Sequence, residues 1–105
     1  MAATDFITTD EACRRIRTGL RKRTGLAWSV RRGRGTGYGW IRINSPRGKW
    51  GDMPHIDRDI LAAALGLDSV GPNGISIPSS NDYYAEYVDR AEGREPSVRG
   101  VRYWD

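Results

Sequence analysis

The sequence predicts an α+β domain in which helices cover one face of a small, largely antiparallel sheet, in the order αββαβα. Three observations lead there. Two alternating segments, 27–32 and 38–44, flank a loop of glycines and arginines and read as a hairpin. Segments with apolar residues at helical spacing, closed by glycines, precede and follow it. A short apolar run, Ile75–Ile77, comes directly after the turn signal Gly71-Pro72-Asn73-Gly74 and supplies a third strand. At 105 residues there is room for one domain, so residues 1–105 are read as a single unit.

The first helix announces its own start. Thr8-Thr9-Asp10-Glu11 fits a capping box, with Thr8 as N-cap, Glu11 at the third helical position, and Ile7 and Ala12 spaced for a hydrophobic staple. Ala12, Ile16 and Leu20, with Cys13 beside them, form the apolar stripe, and Gly25 is the C-terminal stop. The remaining faces carry Arg14, Arg15, Arg17, Arg21, Lys22 and Arg23, and the last of these also suit the helix dipole. Ser45-Pro46-Arg47-Gly48 reads as a turn after the hairpin. A second helix is expected near Arg58–Leu65, with Asp57 as N-cap, Gly66 at its end and Leu67 folding back onto Leu61. Ser79 or Ser80 caps a third helix, where Tyr84, Tyr87, Val88 and Ala91 mark the buried face and Gly93 the end. Tyr84 and Tyr87 are expected to pack with their hydroxyls at the edge, leaving Tyr83 as the exposed tyrosine. Val98, Val101 and Tyr103 in the tail suit one more strand.

Composition narrows the class of protein. Hydrophobic residues make up 38% and charged residues 29%, and ten aromatics argue against disorder. The N-terminal residues lack a signal-peptide pattern, and no apolar run nears the ~18 residues of a membrane span. With one cysteine, Cys13, no internal disulfide is possible. These features predict a soluble, cytoplasmic protein without membrane contact.

Charge says more about partners. The net charge of +4 hides an asymmetry: residues 1–49 hold twelve Lys/Arg and three Asp/Glu, residues 50–105 five and ten. Halves of +9 and −5 favour one strongly positive face that attracts polyanions. They suit head-to-tail self-association and intramolecular compensation alike, so they fix no oligomeric state.

The positive half centres on Arg31-Arg32-Gly33-Arg34-Gly35-Thr36-Gly37-Tyr38-Gly39-Trp40. Alternating glycines let backbone N–H groups approach a ligand, and three arginines offer planar donors for phosphate. If Val30, Ile41 and Ile43 face the core, alternation puts Ser29, Arg31, Tyr38, Trp40 and Arg42 on the opposite face. Arginines beside exposed aromatics are what stacking on single-stranded bases requires. The same residues also suit a plain structural role, with glycines taking positive φ in a long hairpin and arginines guarding an edge strand. The loop lacks the G-x-G-x-x-G spacing of a dinucleotide site and the Gly-Lys-Ser/Thr of a P-loop.

Asp52, His55, Asp57 and Asp59 are the only grouping with catalytic or metal-ligand side chains. Asp57 and Asp59 have structural tasks at the start of a helix, and one histidine makes a poor ligand set. No catalytic residue, metal ligand or cofactor is assigned, and the chain reads as non-enzymatic.

The stretch Ile16–Ile43, IRTGLRKRTGLAWSVRRGRGTGYGWIRI, resembles small uncharacterised bacterial and cyanobacterial proteins with a helix followed by an SVRRGRGT–YGWI hairpin. It is similar to a large polyvalent protein-associated domain, in which a basic helix precedes an FSVR strand, a glycine-rich loop and a second strand. The matches are Ser29-Val30-Arg31, the Gly33–Gly39 loop and Trp40-Ile41, and they cover little more than a quarter of the chain. Such domains occur in proteins of phages and conjugative elements, so the resemblance implies a mobile-element context.

The expected function is a nucleic-acid-binding accessory module of low sequence specificity, with DNA or RNA as partner. Contacts are assigned to Arg14, Arg17, Arg21, Arg31, Arg32, Arg34 and Arg42, with Tyr38 and Trp40 as stacking platforms. The alternative is a protein-interaction or inhibitor module, of phage or anti-defence type, that binds an acidic host protein surface. In that reading Asp82, Glu86, Asp89, Glu92 and Glu95 offer a phosphate-like run, with Asp82, Glu86 and Asp89 on one side of the third helix.

Overall fold

Helix α1, Thr9–Thr24, begins as its capping box requires: the Glu11 N–H donates to Thr8 Oγ1 at 3.1 Å. It ends where Gly25 turns left-handed and donates its N–H to the Arg21 carbonyl at 2.8 Å. A computed structural model describes residues 7–33, 39–46 and 52–96 of the chain. Across them the element order is α1, β1 (Ser29–Arg32), β2 (Ile41–Asn44), α2 (His55–Leu65), β3 (Ile75–Ile77) and α3 (Asn81–Ala91). The predicted αββαβα order is the observed one. The three strands form one antiparallel sheet in the order β1-β2-β3, with Arg31 opposite Arg42 and Arg42 opposite Ser76. The predicted tail strand lies outside the described residues.

Alternation works as expected across the sheet. Val30, Ile41, Ile43 and Ile77 are buried against the helices, where Ile16, Leu20, Leu61, Leu65, Tyr84 and Val88 complete the core. Trp28, just before β1, is buried too, and its indole N–H donates to Thr24 Oγ1 at 2.8 Å. Thr24 in turn donates to the Leu20 carbonyl at 2.7 Å, so one hydroxyl ties the end of α1 to the start of the hairpin.

α1 and α3 lie with their N-termini together, since the Ile7 N–H meets Asn81 Oδ1 at 2.7 Å. They close most tightly at Gly19, where an added Cβ would stand 2.7 Å from the Ala91 carbonyl oxygen. A glycine inside a helix weakens it by roughly 0.5–1 kcal/mol. Here the missing side chain is what lets the end of α3 pack onto α1. Arg23 closes this end of the molecule, with one guanidinium nitrogen donating to the Ala64 carbonyl at 2.6 Å and the Arg90 carbonyl at 3.0 Å. Arg90 does the same for Leu65 at 2.8 Å and holds the buried Glu86 at 3.0 Å. Carbonyls at the ends of α2 and α3 are thereby satisfied by cations, which the helix dipoles also favour.

Several finer expectations need correction. α2 begins three residues earlier than predicted, with Pro54 as N-cap. Asp57 is therefore no cap: it sits inside the first turn, fully buried, and accepts a short hydrogen bond from the buried Ser45 hydroxyl. A buried carboxylate must be hydrogen-bonded, and here that need fastens α2 to the segment leaving β2. β1 starts at Ser29 rather than Ala27. Ser80 is the N-cap of α3 but makes no side-chain cap bond; Gly93, with φ +83°, ends the helix as expected, one residue after the C-cap Glu92. Tyr83 is half-buried against the core instead of exposed.

Candidate nucleic-acid interface

Because α1 and α3 pack on one face of the sheet, among the described residues the other face belongs to the side chains that alternation sends there. Arg31 and Arg42 are exposed and stand directly opposite each other in the β1–β2 register. Like charges facing across strands are destabilising, so the pairing is not explained by sheet stability. Trp40, one step before β2, is 40% exposed, which is unusual for the largest apolar side chain. The Gly33 N–H donates to the Trp40 carbonyl at 2.8 Å, extending the hairpin ladder one rung beyond the strands.

Gly39 determines how the chain reaches Trp40. Its φ is +93°, and a Cβ there would lie 2.7 Å from Ser79 Oγ. Both facts require glycine. The Gly39 carbonyl accepts a short hydrogen bond from the Tyr84 hydroxyl, and Thr9 Oγ1 donates to the same phenolic oxygen at 3.0 Å. The Tyr84 hydroxyl thus lies within the fold rather than at its edge, where it anchors the C-terminal root of the Arg/Gly loop to α1 and α3.

The predicted contact residues divide into groups. Arg31, Trp40 and Arg42 share the open face of the sheet. Arg14, Arg17 and Arg21 are exposed on α1, which packs against the other face. Arg14 is held by Glu11 at 2.6 Å, which pushes its guanidinium pKa further up. Arg32 points to the helix side and sits 3.4 Å from Asp10. Arg34 and Tyr38 lie outside the described residues. Among the described residues, no carboxylate partners Arg21, Lys22 or Arg31.

Sequence reasoning missed the link between the two groups. Arg17 reaches from α1 to the edge of the sheet and donates to the Val30 carbonyl at 2.7 Å. It lines one open cleft together with Ser29, Arg31, Ser45 and Pro46. The available signal was the edge strand itself, whose outward carbonyls need a donor. A second cleft, lined by Arg23, Arg90 and Arg94, holds more cations, but these are committed to helix carbonyls and to Asp89 and Glu92.

The other groupings support less chemistry. His55 lies 3.4 Å from Asp59, both well exposed. Among the described residues no three His, Cys, Asp or Glu side chains gather as a metal set, and no helix is long and apolar enough to cross a membrane. Burial pushes the Cys13 thiol pKa up, against the pull of Arg17, which suits a core residue rather than a nucleophile. On the acidic side of α3, Glu86 is buried with Arg90 and Asp89 pairs with Arg94 at 2.7 Å, while Asp82 is exposed. Comparison of the chain with protein-family models, curated proteins and solved structures gives no match.

Proposed function

We propose that the chain is a non-enzymatic nucleic-acid-binding accessory module with low sequence specificity. The observation that carries this reading is the open face of the sheet, where exposed Arg31 and Arg42 stand opposite each other beside an exposed Trp40. Guanidinium groups at that spacing favour phosphate, and an indole offers a base a stacking surface worth about 1–3 kcal/mol. Contacts of this kind touch backbone and base faces, not base edges, so affinity depends on salt more than on sequence. The alternative role as a phosphate mimic loses support because Glu86 is buried against Arg90 and because Asp89 and Glu92 are paired with arginines.

Fluorescence titration on single- and double-stranded DNA and RNA at two salt concentrations tests the reading. Binding is expected to weaken steeply with salt. It should fall at least tenfold in an Arg31→Ala/Arg32→Ala/Arg34→Ala triple variant and also in Trp40→Ala. Unchanged affinity in the triple variant would refute it. A lysate partner retained after nuclease treatment, with no nucleic-acid binding by the pure protein, would favour the protein-interaction role instead.

A further inference from the structure

The cleft at the outer edge of β1 has the features of a binding site for one phosphate group. It is open, with a volume of about 610 Å3, inside the ~300–1,000 Å3 range of small-ligand sites. Arg17 enters it from α1 and Arg31 from the sheet, so it is where the two groups of predicted contacts meet. The register adds a backbone donor. The Gly33–Trp40 rung makes Arg31–Arg42 and Ser29–Asn44 the hydrogen-bonded pairs of the ladder, which turns the N–H and carbonyl of Val30 away from β2. Arg17 takes the Val30 carbonyl. Among the described residues, no acceptor meets the Val30 N–H.

Two further points favour an anion here. Arg17 is anchored by a neutral carbonyl, so it is positioned without being neutralised. One of its five N–H donors is used and the rest remain. A donor already held in place forfeits less side-chain entropy when a ligand arrives. No carboxylate lines the cleft among the described residues; Asp57 lies behind Ser45, whose hydroxyl it already accepts.

Resting on the proposed nucleic-acid function, we infer that this cleft clasps a single backbone phosphate of a single strand between Arg17 and Arg31. The Val30 N–H and Ser29 hydroxyl supply further donors, and the neighbouring base is directed across the sheet toward Trp40.

Sharing of one phosphate has a signature that separate contacts lack. Arg17→Gln, Arg31→Gln and the double variant are titrated against an oligothymidylate over a series of salt concentrations. Each phosphate contact on a single strand contributes about 0.7 to the slope of log K against log salt. If both arginines hold one phosphate, the pair accounts for about 0.7 in all: the double variant loses about 0.7, each single variant loses no more than that, and the affinity losses are non-additive. A double variant that loses about 1.4 with additive affinities would mean two separate phosphates and overturn the shared site. Unchanged slopes in variants of a wild type that binds would overturn it as well, while leaving the proposed function standing. A wild type that binds no oligonucleotide overturns both. Amide spectra guard against unfolded variants: adding a short oligothymidylate to the wild type should shift the Val30 amide and the Arg17 and Arg31 Nε–H signals. Their invariance at saturation would refute the site directly.

Discussion

Removing the Tyr84 hydroxyl tests how the Arg/Gly loop is anchored. Tyr84 is 4% exposed, and its hydroxyl donates to the buried Gly39 carbonyl while accepting from Thr9. Tyr84→Phe leaves the ring and its packing in place. A hydrogen bond of this kind contributes about 1 kcal/mol net, but removing the donor so that a buried acceptor is left unsatisfied costs about 1–3 kcal/mol in all. The expected loss is about 2 kcal/mol, which in a domain of this size lowers Tm by roughly 8–16 °C. Thermal unfolding measures the total, and Thr9→Val serves as control because it removes one contact and leaves Gly39 satisfied. Hydrogen exchange at the Gly33 amide measures the local part, since that N–H bonds the Trp40 carbonyl one residue beyond Gly39. Protection at Gly33 should fall in Tyr84→Phe and persist in Thr9→Val. A Tm drop below about 2 °C, within the ~0.5 kcal/mol scatter of neutral substitutions, would refute the anchor. Unchanged protection at Gly33 would show that the hydroxyl holds something other than the loop.

Two other substitutions probe the packing and its charges. Gly19→Ala improves helix propensity by up to about 1 kcal/mol, yet the Ala91 carbonyl leaves no room for the methyl, so urea denaturation should show a net loss of about 1–2 kcal/mol. Stabilisation instead, as expected at the exposed neighbour Thr18→Ala, would refute the close helix approach. Partial burial raises the Glu92 pKa, but hydrogen bonds from Arg15 and Arg94 outweigh it and hold the carboxyl below its usual range. A lowered folded-state pKa contributes stability that is complete above the unfolded value, near 4.3, and is lost as pH falls through the folded one. Glu92→Gln should therefore lower Tm at pH 7, with the gap to wild type closing below about pH 4. A gap independent of pH would mean that the carboxylate's charge contributes nothing.

The elements most legible in the sequence are those whose signals are local. The Thr8–Glu11 box, the Gly25 and Gly66 stops and the Val30/Ile41/Ile43 alternation each depend on residues within a turn or a strand pair, so spacing reveals them. What escaped is held by partners distant in sequence. Asp57 has the composition of a cap but is drawn inside by Ser45, twelve residues away. Tyr84 meets Gly39 across forty-five residues, and Gly19 meets the end of α3. Neither contact leaves a periodic trace. The same rule holds for the candidate site: strand alternation placed Arg31, Trp40 and Arg42 on one face, while the outward carbonyls of an edge strand called for a donor without naming Arg17 as the one that reaches it.

The geometry also ranks the arginines, which composition counts as equals. Arg14, Arg15, Arg32 and Arg94 face carboxylates, so their charge is locally offset. Arg23 and Arg90 hold the helix ends, and their loss would be felt first as unfolding. Arg17 differs from the first set because a carbonyl fixes it without cancelling its charge, and from Arg23 and Arg90 because it spends one donor at the sheet edge rather than closing the helix ends. Exposed ion pairs contribute only about 0–1 kcal/mol, so a phosphate can displace Glu11 from Arg14 or Asp10 from Arg32, but part of its attraction is spent doing so. Arg17 and Arg31 impose no such exchange. Affinity for a polyanion should therefore depend on these two far more than on Arg14 or Arg32, although all four belong to the same basic half of the chain.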